Sequence, residues 1–252
     1  MNMIDAIALS IIEGITEFLP ISSTGHLILF GKLLNITESD FLKAFNIIIQ
    51  LGAILSVIVI YYRRLLSGLK IYFQVGIAFL PAAVIGLLVK KQIDQILDRI
   101  DVVAIALFLG GIVFILIEKI KKNRNLQIQD LSYMRCFQIG LIQCCAFVPG
   151  VSRAGAAMIA GMLVGLDRKN AAEFSFFLAV PTILGASAVK AKDILPFLNP
   201  ENSTLLLIGI VGSFITGLLA IRFFTGLMAR ITLTPFGIYR IILGLIVLLT
   251  HF

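Results

Sequence analysis

The chain has 252 residues, of which 59% are hydrophobic and 14% charged, with a mean hydropathy of +1.04. A soluble globule carries about a quarter charged residues, so this composition excludes an ordinary water-soluble domain and implies an integral membrane protein. The net charge of +7 gathers in short loops, which is positive-inside bias rather than a nucleic-acid-binding face.

The N-terminal apolar stretch has no Lys or Arg before Lys32 and is interrupted by Asp5 and Glu13. It therefore lacks the basic n-region of a cleaved signal peptide, and the membrane segments are expected to direct insertion. From Glu13 to His26 the chain then reads EGITEFLPISSTGH. Ionisable groups near a bilayer centre cost roughly 2.5 to 3.5 kcal/mol each, so such a cluster implies a functional site enclosed by protein, water or ligand. Glu13 and Glu17 are four apart, on one face of a helix and near enough to share a cation. Two carboxylates suit a hard divalent ion, Mg²⁺ or Ca²⁺; the alternative is a protonated carboxyl or a helix cap. Pro20 is expected to end this helix. Ser22-Ser23-Thr24-Gly25 follows, able to turn hydroxyls and N–H groups toward an anion or simply to cap the next helix. His26 lies three residues after Ser23, on its face if a helix has begun, and can move a proton near neutral pH. The other histidine, His251, reads as a solvated tail.

Apolar runs long enough to cross a bilayer, at about 17 to 25 residues, are expected near 44–62, 71–89, 102–117, 172–189, 204–221 and 236–249. Arg63, Arg64 and Lys70, and then Lys119, Lys121, Lys122, Arg124 and Arg135, mark two loops as cytoplasmic. The loop between them mixes Lys90, Lys91 and Arg99 with Asp94, Asp98 and Asp101, and suits the outer face. Cys136, Cys144 and Cys145 have no CxxC spacing and read as small core residues.

A second interrupted segment holds Pro149-Gly-Val-Ser-Arg-Ala-Gly155. Arg153 carries a planar fork matched to phosphate oxygens, though it could instead pair with Glu13 or Glu17. Sliding the chain by about 130 positions lays the first motif over the second, matching Ser22 to Ser152 and Gly25 to Gly155, with Gln143 and Phe147 facing Glu13 and Glu17. Two repeats in one membrane domain are expected, about 1–125 and about 130–252. Each holds one broken segment and three spans, an odd number that demands opposite orientations. The fold class is then an all-α integral membrane protein with about six transmembrane helices and two re-entrant helical hairpins in an inverted-topology repeat. Irregular backbone at that depth must be buried or line a wet cavity. The alternative makes each broken segment a kinked full span.

The two motifs, with Phe45-Asn-Ile-Ile-Ile-Gln-Leu-Gly-Ala53 and Ala171-Ala-Glu-Phe-Ser-Phe-Phe-Leu-Ala-Val-Pro181, resemble undecaprenyl-diphosphate phosphatase, the bacitracin-resistance type of membrane phosphatase. The resemblance runs nearly the whole length. It implies removal of the terminal phosphate of undecaprenyl diphosphate in the bacterial cytoplasmic membrane, to recycle the lipid carrier of wall synthesis, with divalent-cation dependence and a site open to the outer side. It places the acidic pair on Glu13 and Glu17, the hydroxyls on Ser22, Ser23 and Thr24, the histidine on His26 and the phosphate-binding pair on Ser152 and Arg153; Gly25 joins the phosphate-binding turn. The chain departs from it at Ala154 and Ala157, where hydroxyls are common. The expected partners are the polyprenyl diphosphate and membrane lipids, with no nucleic acid; the oligomeric state is open, a homodimer included. In one scheme Ser23 attacks phosphorus with His26 as its base, Glu17 and Glu13 hold the metal and Arg153 steadies the oxygens. In the other, Ser23 is a ligand, and His26 or Glu17 activates water. The competing function is a transporter or lipid flippase, which the inverted-repeat architecture would also serve.

Overall fold

The computed structural model describes residues 1–66, 68–97, 99–120 and 125–251. The charges of Asp98, Lys121, Lys122 and Arg124, and the side chain of His251, lie outside the described residues, so the readings made on them stand on sequence alone. The described residues form helices and no strand. In chain order these are α1 (Met3–Thr16), α2 (Ser23–Leu33), α3 (Asp40–Leu65), α4 (Lys70–Leu88), α5 (Lys90–Ile96), α6 (Ile100–Lys119), α7 (Tyr133–Gln143), α8 (Arg153–Leu163), α9 (Arg168–Val189), α10 (Ala191–Ile194), α11 (Pro200–Met228) and α12 (Thr234–His251).

Local chemistry sets most of these boundaries. Asn2 caps α1 through a reciprocal pair with Asp5, and Ser39, Ser132, Asp167 and Asn199 each accept an N–H of the helix that follows. α1 stops at Thr16, ahead of Pro20 rather than at it. A proline at 20 has no N–H to return to the Thr16 carbonyl.

Helices α3, α4, α6, α9 and α11 are long and apolar enough to cross a membrane, and α12 is a shorter apolar helix. All six expected spans fall on these helices. The chain is therefore a multi-pass membrane protein of the all-α class. Its large outward side chains, such as Leu55, Val84, Leu116, Leu219, Phe223 and Ile242, are exposed and suit hydrocarbon rather than water. Where lipid removes the hydrophobic drive for association, helices meet through small residues. A Cβ on Gly111 of α6 would lie 2.5 Å from the Gly237 carbonyl oxygen of α12, and one on Gly140 of α7 would lie 1.9 Å from that of Ala78 in α4.

Leaving aside the short α5 and α10, the element order runs twice: two short helices, then three longer apolar ones. The packing follows the same rule. α3 packs on α11 as α9 packs on α4, α1 on α11 as α7 on α4, and α6 on α12. At one end of the bundle Glu118 accepts both guanidinium arms of Arg168, at 2.9 and 2.7 Å, and the Leu233 N–H at 2.9 Å, joining α6, α9 and the start of α12. Arg64 pairs with Glu173 near that end, and Lys190 meets Asp94 at 2.9 Å near the other. One sequence expectation fails: Cys136 is buried, but Cys144 is only partly so and Cys145 is exposed. Cys144 and Cys145 lie on a 3-10 turn after α7, so apolar neighbours in sequence did not imply burial there.

Candidate active site

The two interrupted segments fold alike at their turns. Ser22 and Ser152 sit at φ 75° and φ 76°, in the left-handed region that non-glycine residues rarely adopt. Each is the N-cap of the next helix: Ser22 Oγ accepts Gly25 N–H at 3.3 Å, and Ser152 Oγ accepts Gly155 N–H at 3.1 Å. The N–H groups that open α2 (Ser23, Thr24) and α8 (Arg153, Ala154) have no partner within their own helices. Two helix N-termini thus supply donors and partial positive charge of the kind that binds anions. Positive φ at two serines is a local strain that functional sites retain when the surroundings enforce it.

Glu17 joins the two halves. As the C-cap of α1 it is 7% exposed, and its Oε2 accepts the Ser23 hydroxyl at 2.5 Å while its Oε1 accepts Arg153 Nη2 at 2.5 Å. Arg153 Nη1 donates to the Ser175 carbonyl at 3.0 Å, and the Ser175 hydroxyl donates to the Ala154 carbonyl at 3.2 Å, so α9 steadies the start of α8. Arg153 Nε is buried with no partner in the protein. The pairing of Arg153 with a carboxylate is therefore real in this geometry, and it leaves donor capacity over.

Glu13, one helical turn before Glu17, is fully buried, and both its carboxylate oxygens lack a hydrogen-bond partner. It lies within electrostatic reach of Glu17 and Arg153. Buried polar atoms are nearly always paired, so two orphaned hard oxygens beside a second carboxylate fit a divalent cation by donor chemistry. Among the described residues no group of three His, Cys, Asp or Glu side chains gathers as a metal cluster, so any ion here would draw its remaining ligands from substrate or water. In the second half Gln143 and Phe147 stand at the matching positions, and Gln143 donates weakly to Thr182 at 3.4 Å. Of the two interrupted segments, 13–26 and 143–155, the first carries the acids.

His26 is buried, but its partners are not those expected. Nδ1 lies 2.7 Å from the Ser22 carbonyl and Nε2 lies 2.7 Å from the Tyr239 hydroxyl, with the two rings stacked. Ser23 and His26 open the same helix, yet the Ser23 hydroxyl turns to Glu17 while His26 Nδ1 meets the N-cap carbonyl of Ser22. The half-buried Thr24 follows in the same turn. Ala154 and Ala157 are buried at 4% and 0% exposure, and Ala157 packs in the apolar core; neither side chain offers a phosphate contact.

Two residues of α12 escaped the sequence reading. Arg240 is fully buried and clamps both turns: Nη1 donates to the carbonyls of Pro20 (3.2 Å) and Val151 (2.9 Å), and Nη2 to those of Ala106 (3.1 Å) and Gly150 (3.0 Å). Its guanidinium also lies over the Phe114 ring, 4.8 Å from the centroid. Gly150 holds φ +95°, and a Cβ there would meet the Val103 carbonyl oxygen at 2.5 Å, so only glycine fits. The signal for Arg240 was available, since an arginine inside an apolar span is functional by default. Tyr239 carried none.

Comparison with known proteins agrees with this arrangement. The family model described as "Bacitracin resistance protein BacA" matches residues 6–246. A protein of Flavobacterium psychrophilum named undecaprenyl-diphosphatase is 47% identical over 255 aligned positions, covering 100% of this chain and 97% of its own. Proteins of the same name from Persephonella marina, at 46% with 99% of each chain covered, and Bdellovibrio bacteriovorus, at 43% with 99% and 96% covered, are similar throughout. A match over nearly the whole chain, with the motif residues gathered at one buried carboxylate, shows that this protein belongs to the bacitracin resistance protein BacA family.

Proposed function

We propose that the chain hydrolyses undecaprenyl diphosphate to undecaprenyl phosphate and inorganic phosphate, returning the lipid carrier to wall synthesis and thereby conferring bacitracin resistance. The observation that carries this reading is the single carboxylate of Glu17 holding both a serine hydroxyl and an arginine, each opening a helix from a different half of the chain. A carrier needs anion-binding groups; it has no use for a hydroxyl hydrogen-bonded to a buried base.

The geometry supports a two-step reaction. Ser23 Oγ attacks the terminal phosphorus as its proton passes to Glu17, and the bridging P–O bond breaks to release the lipid monophosphate. Arg153, freed from Glu17 by the incoming charge, spans the phosphoryl oxygens, and the N–H groups opening α2 and α8 supply further donors. Water then displaces Ser23 from phosphorus, and Glu17 returns the proton to Oγ. Glu13, with Glu17, would hold a Mg²⁺ or Ca²⁺ ion; when bound, such an ion offsets negative charge on the diphosphate. The polyprenyl tail lies along the lipid-facing helices.

Two further readings belong with this one. The halves are inverted repeats, supported by the matching serine turns and the paired packing of α3 with α11 and α9 with α4. The site opens to the outer side of the cytoplasmic membrane, supported by Arg63 and Arg64 at the end of α3, Lys70 at the start of α4 and Arg135 in the first turn of α7, at the opposite end from the acidic Asp94 of α5 and Asp101 of α6.

Purified protein in detergent should release phosphate from a long-chain polyprenyl diphosphate, and chelation should abolish release. Ser23→Ala should retain no label from the terminal phosphate, while wild type retains a trapped fraction. Absence of phosphate release by folded wild-type protein would overturn the enzyme reading and favour transport.

A further inference from the structure

His26 is a titratable side chain whose two ring nitrogens are both committed to partners. The Ser22 carbonyl can only accept, so Nδ1, 2.7 Å away, must carry the proton. The lone pair is then confined to Nε2, where the Tyr239 hydroxyl donates at 2.7 Å. The rings stack 10° from parallel with centroids 5.8 Å apart, so Tyr239 sets the plane of the imidazole as well as the direction of its basic nitrogen. Tyr239 is 43% exposed while His26 is 3% exposed. The tyrosine therefore stands between the buried imidazole and the exterior, on the helix whose next residue, Arg240, clamps both turns.

Taking the phosphatase reading as its basis, we infer that Tyr239 is a positioning residue: the Ser22 carbonyl sets the Nδ1–H tautomer of His26, and Tyr239 holds that ring with its only proton-accepting nitrogen aimed at α12 and away from Ser23. Any proton that His26 takes during turnover is taken at Nε2, beside Tyr239. This leaves Ser23 to Glu17, and it makes the orientation of His26 depend on a residue more than two hundred positions away.

The test uses full-length protein carrying ¹⁵N-histidine, with His251→Gln to leave one imidazole. His26 should give one protonated and one hydrogen-bonded unprotonated nitrogen, assignable to Nδ1 and Nε2. In Tyr239→Phe the Nε2 signal should move toward that of a free imine nitrogen, kcat should fall about tenfold, and KM should stay within about twofold. An Nε2-protonated wild type, or unmoved nitrogen signals in Tyr239→Phe, would overturn the inference; so would a loss of activity in Tyr239→Phe with the wild-type His26 spectrum and a lowered unfolding midpoint, which would make Tyr239 a packing residue. The spectra need no turnover, so failure of the phosphatase reading would appear separately, as wild type that releases no phosphate.

Discussion

A carboxylate that accepts from both a serine and an arginine cannot become an amide without turning one contact around. In Glu17→Gln the amide NH₂ can face only Ser23, whose hydroxyl must then accept, and the proton has nowhere to go when Oγ attacks. Phosphate release in Glu17→Gln should fall by about 10²-fold or more, chiefly in kcat. Arg153→Lys keeps the charge but loses the fork that reaches Glu17 and the Ser175 carbonyl together. It should also lose about 10²-fold or more, as removal of a transition-state donor does. Steady-state kinetics on detergent-purified variants checks both, and recovery of near wild-type activity in Arg153→Lys would mean that charge alone suffices. These residues were legible in the sequence because ionisable groups in apolar surroundings stand out. The pairing of Arg153 with a carboxylate was legible as an alternative; the partners of Ser23 and His26 were not. Spacing alone allows Ser23 to face His26; the packing of α1 against α2 is what brings the Glu17 carboxylate to its hydroxyl.

Among the elements, α12 decides most about the site while contributing no motif. Its arginine holds the carbonyls of Pro20, Gly150 and Val151, which are turn atoms with no helical donor, together with that of Ala106. Arg240→Met would leave the three turn carbonyls of Pro20, Gly150 and Val151 unpaired. At about 1 to 3 kcal/mol for each buried unsatisfied group, stability should fall by about 3 kcal/mol or more, with activity lost as the two turns separate. Thermal unfolding in detergent reads the first effect and phosphate release the second. Gly110 offers an independent route to the same clamp, because a Cβ there would lie 2.1 Å from Arg240 Nη2. Gly110→Leu should reproduce the loss of activity without touching any charged group. The spans themselves were read well from hydropathy. The extension of α3 and α11 beyond the apolar runs was not, since Ser39 and Asn199 cap these helices in polar sequence.

For the whole molecule, the question is how two halves that differ in chemistry came to share one site. α1 and α3 pack on α11 as α7 and α9 pack on α4, and α6 packs on α12, whose Arg240 bonds carbonyls of both turns and so brings them together. The acids stay on one half and the arginine on the other. The proposed orientation has a direct test in single-cysteine variants of a cysteine-free background. Asp94→Cys on α5 and Gln129→Cys on a 3-10 turn are exposed positions beyond opposite ends of α6. A membrane-impermeant maleimide should label position 94 on intact cells or spheroplasts, and position 129 only after permeabilisation. The reverse pattern would invert the assignment.

Hydropathy, charge bias and two motifs determined the membrane setting, the six apolar helices and the residues able to do phosphate chemistry, because each is a local property of composition or spacing. The tertiary structure decided which of those residues touch. The contact of Glu17 with Arg153 crosses about 136 positions, and those of His26 with Tyr239 and Pro20 with Arg240 cross more than two hundred. Such contacts depend on how packed helices bring distant backbone carbonyls and side chains within hydrogen-bond reach, which no local pattern encodes.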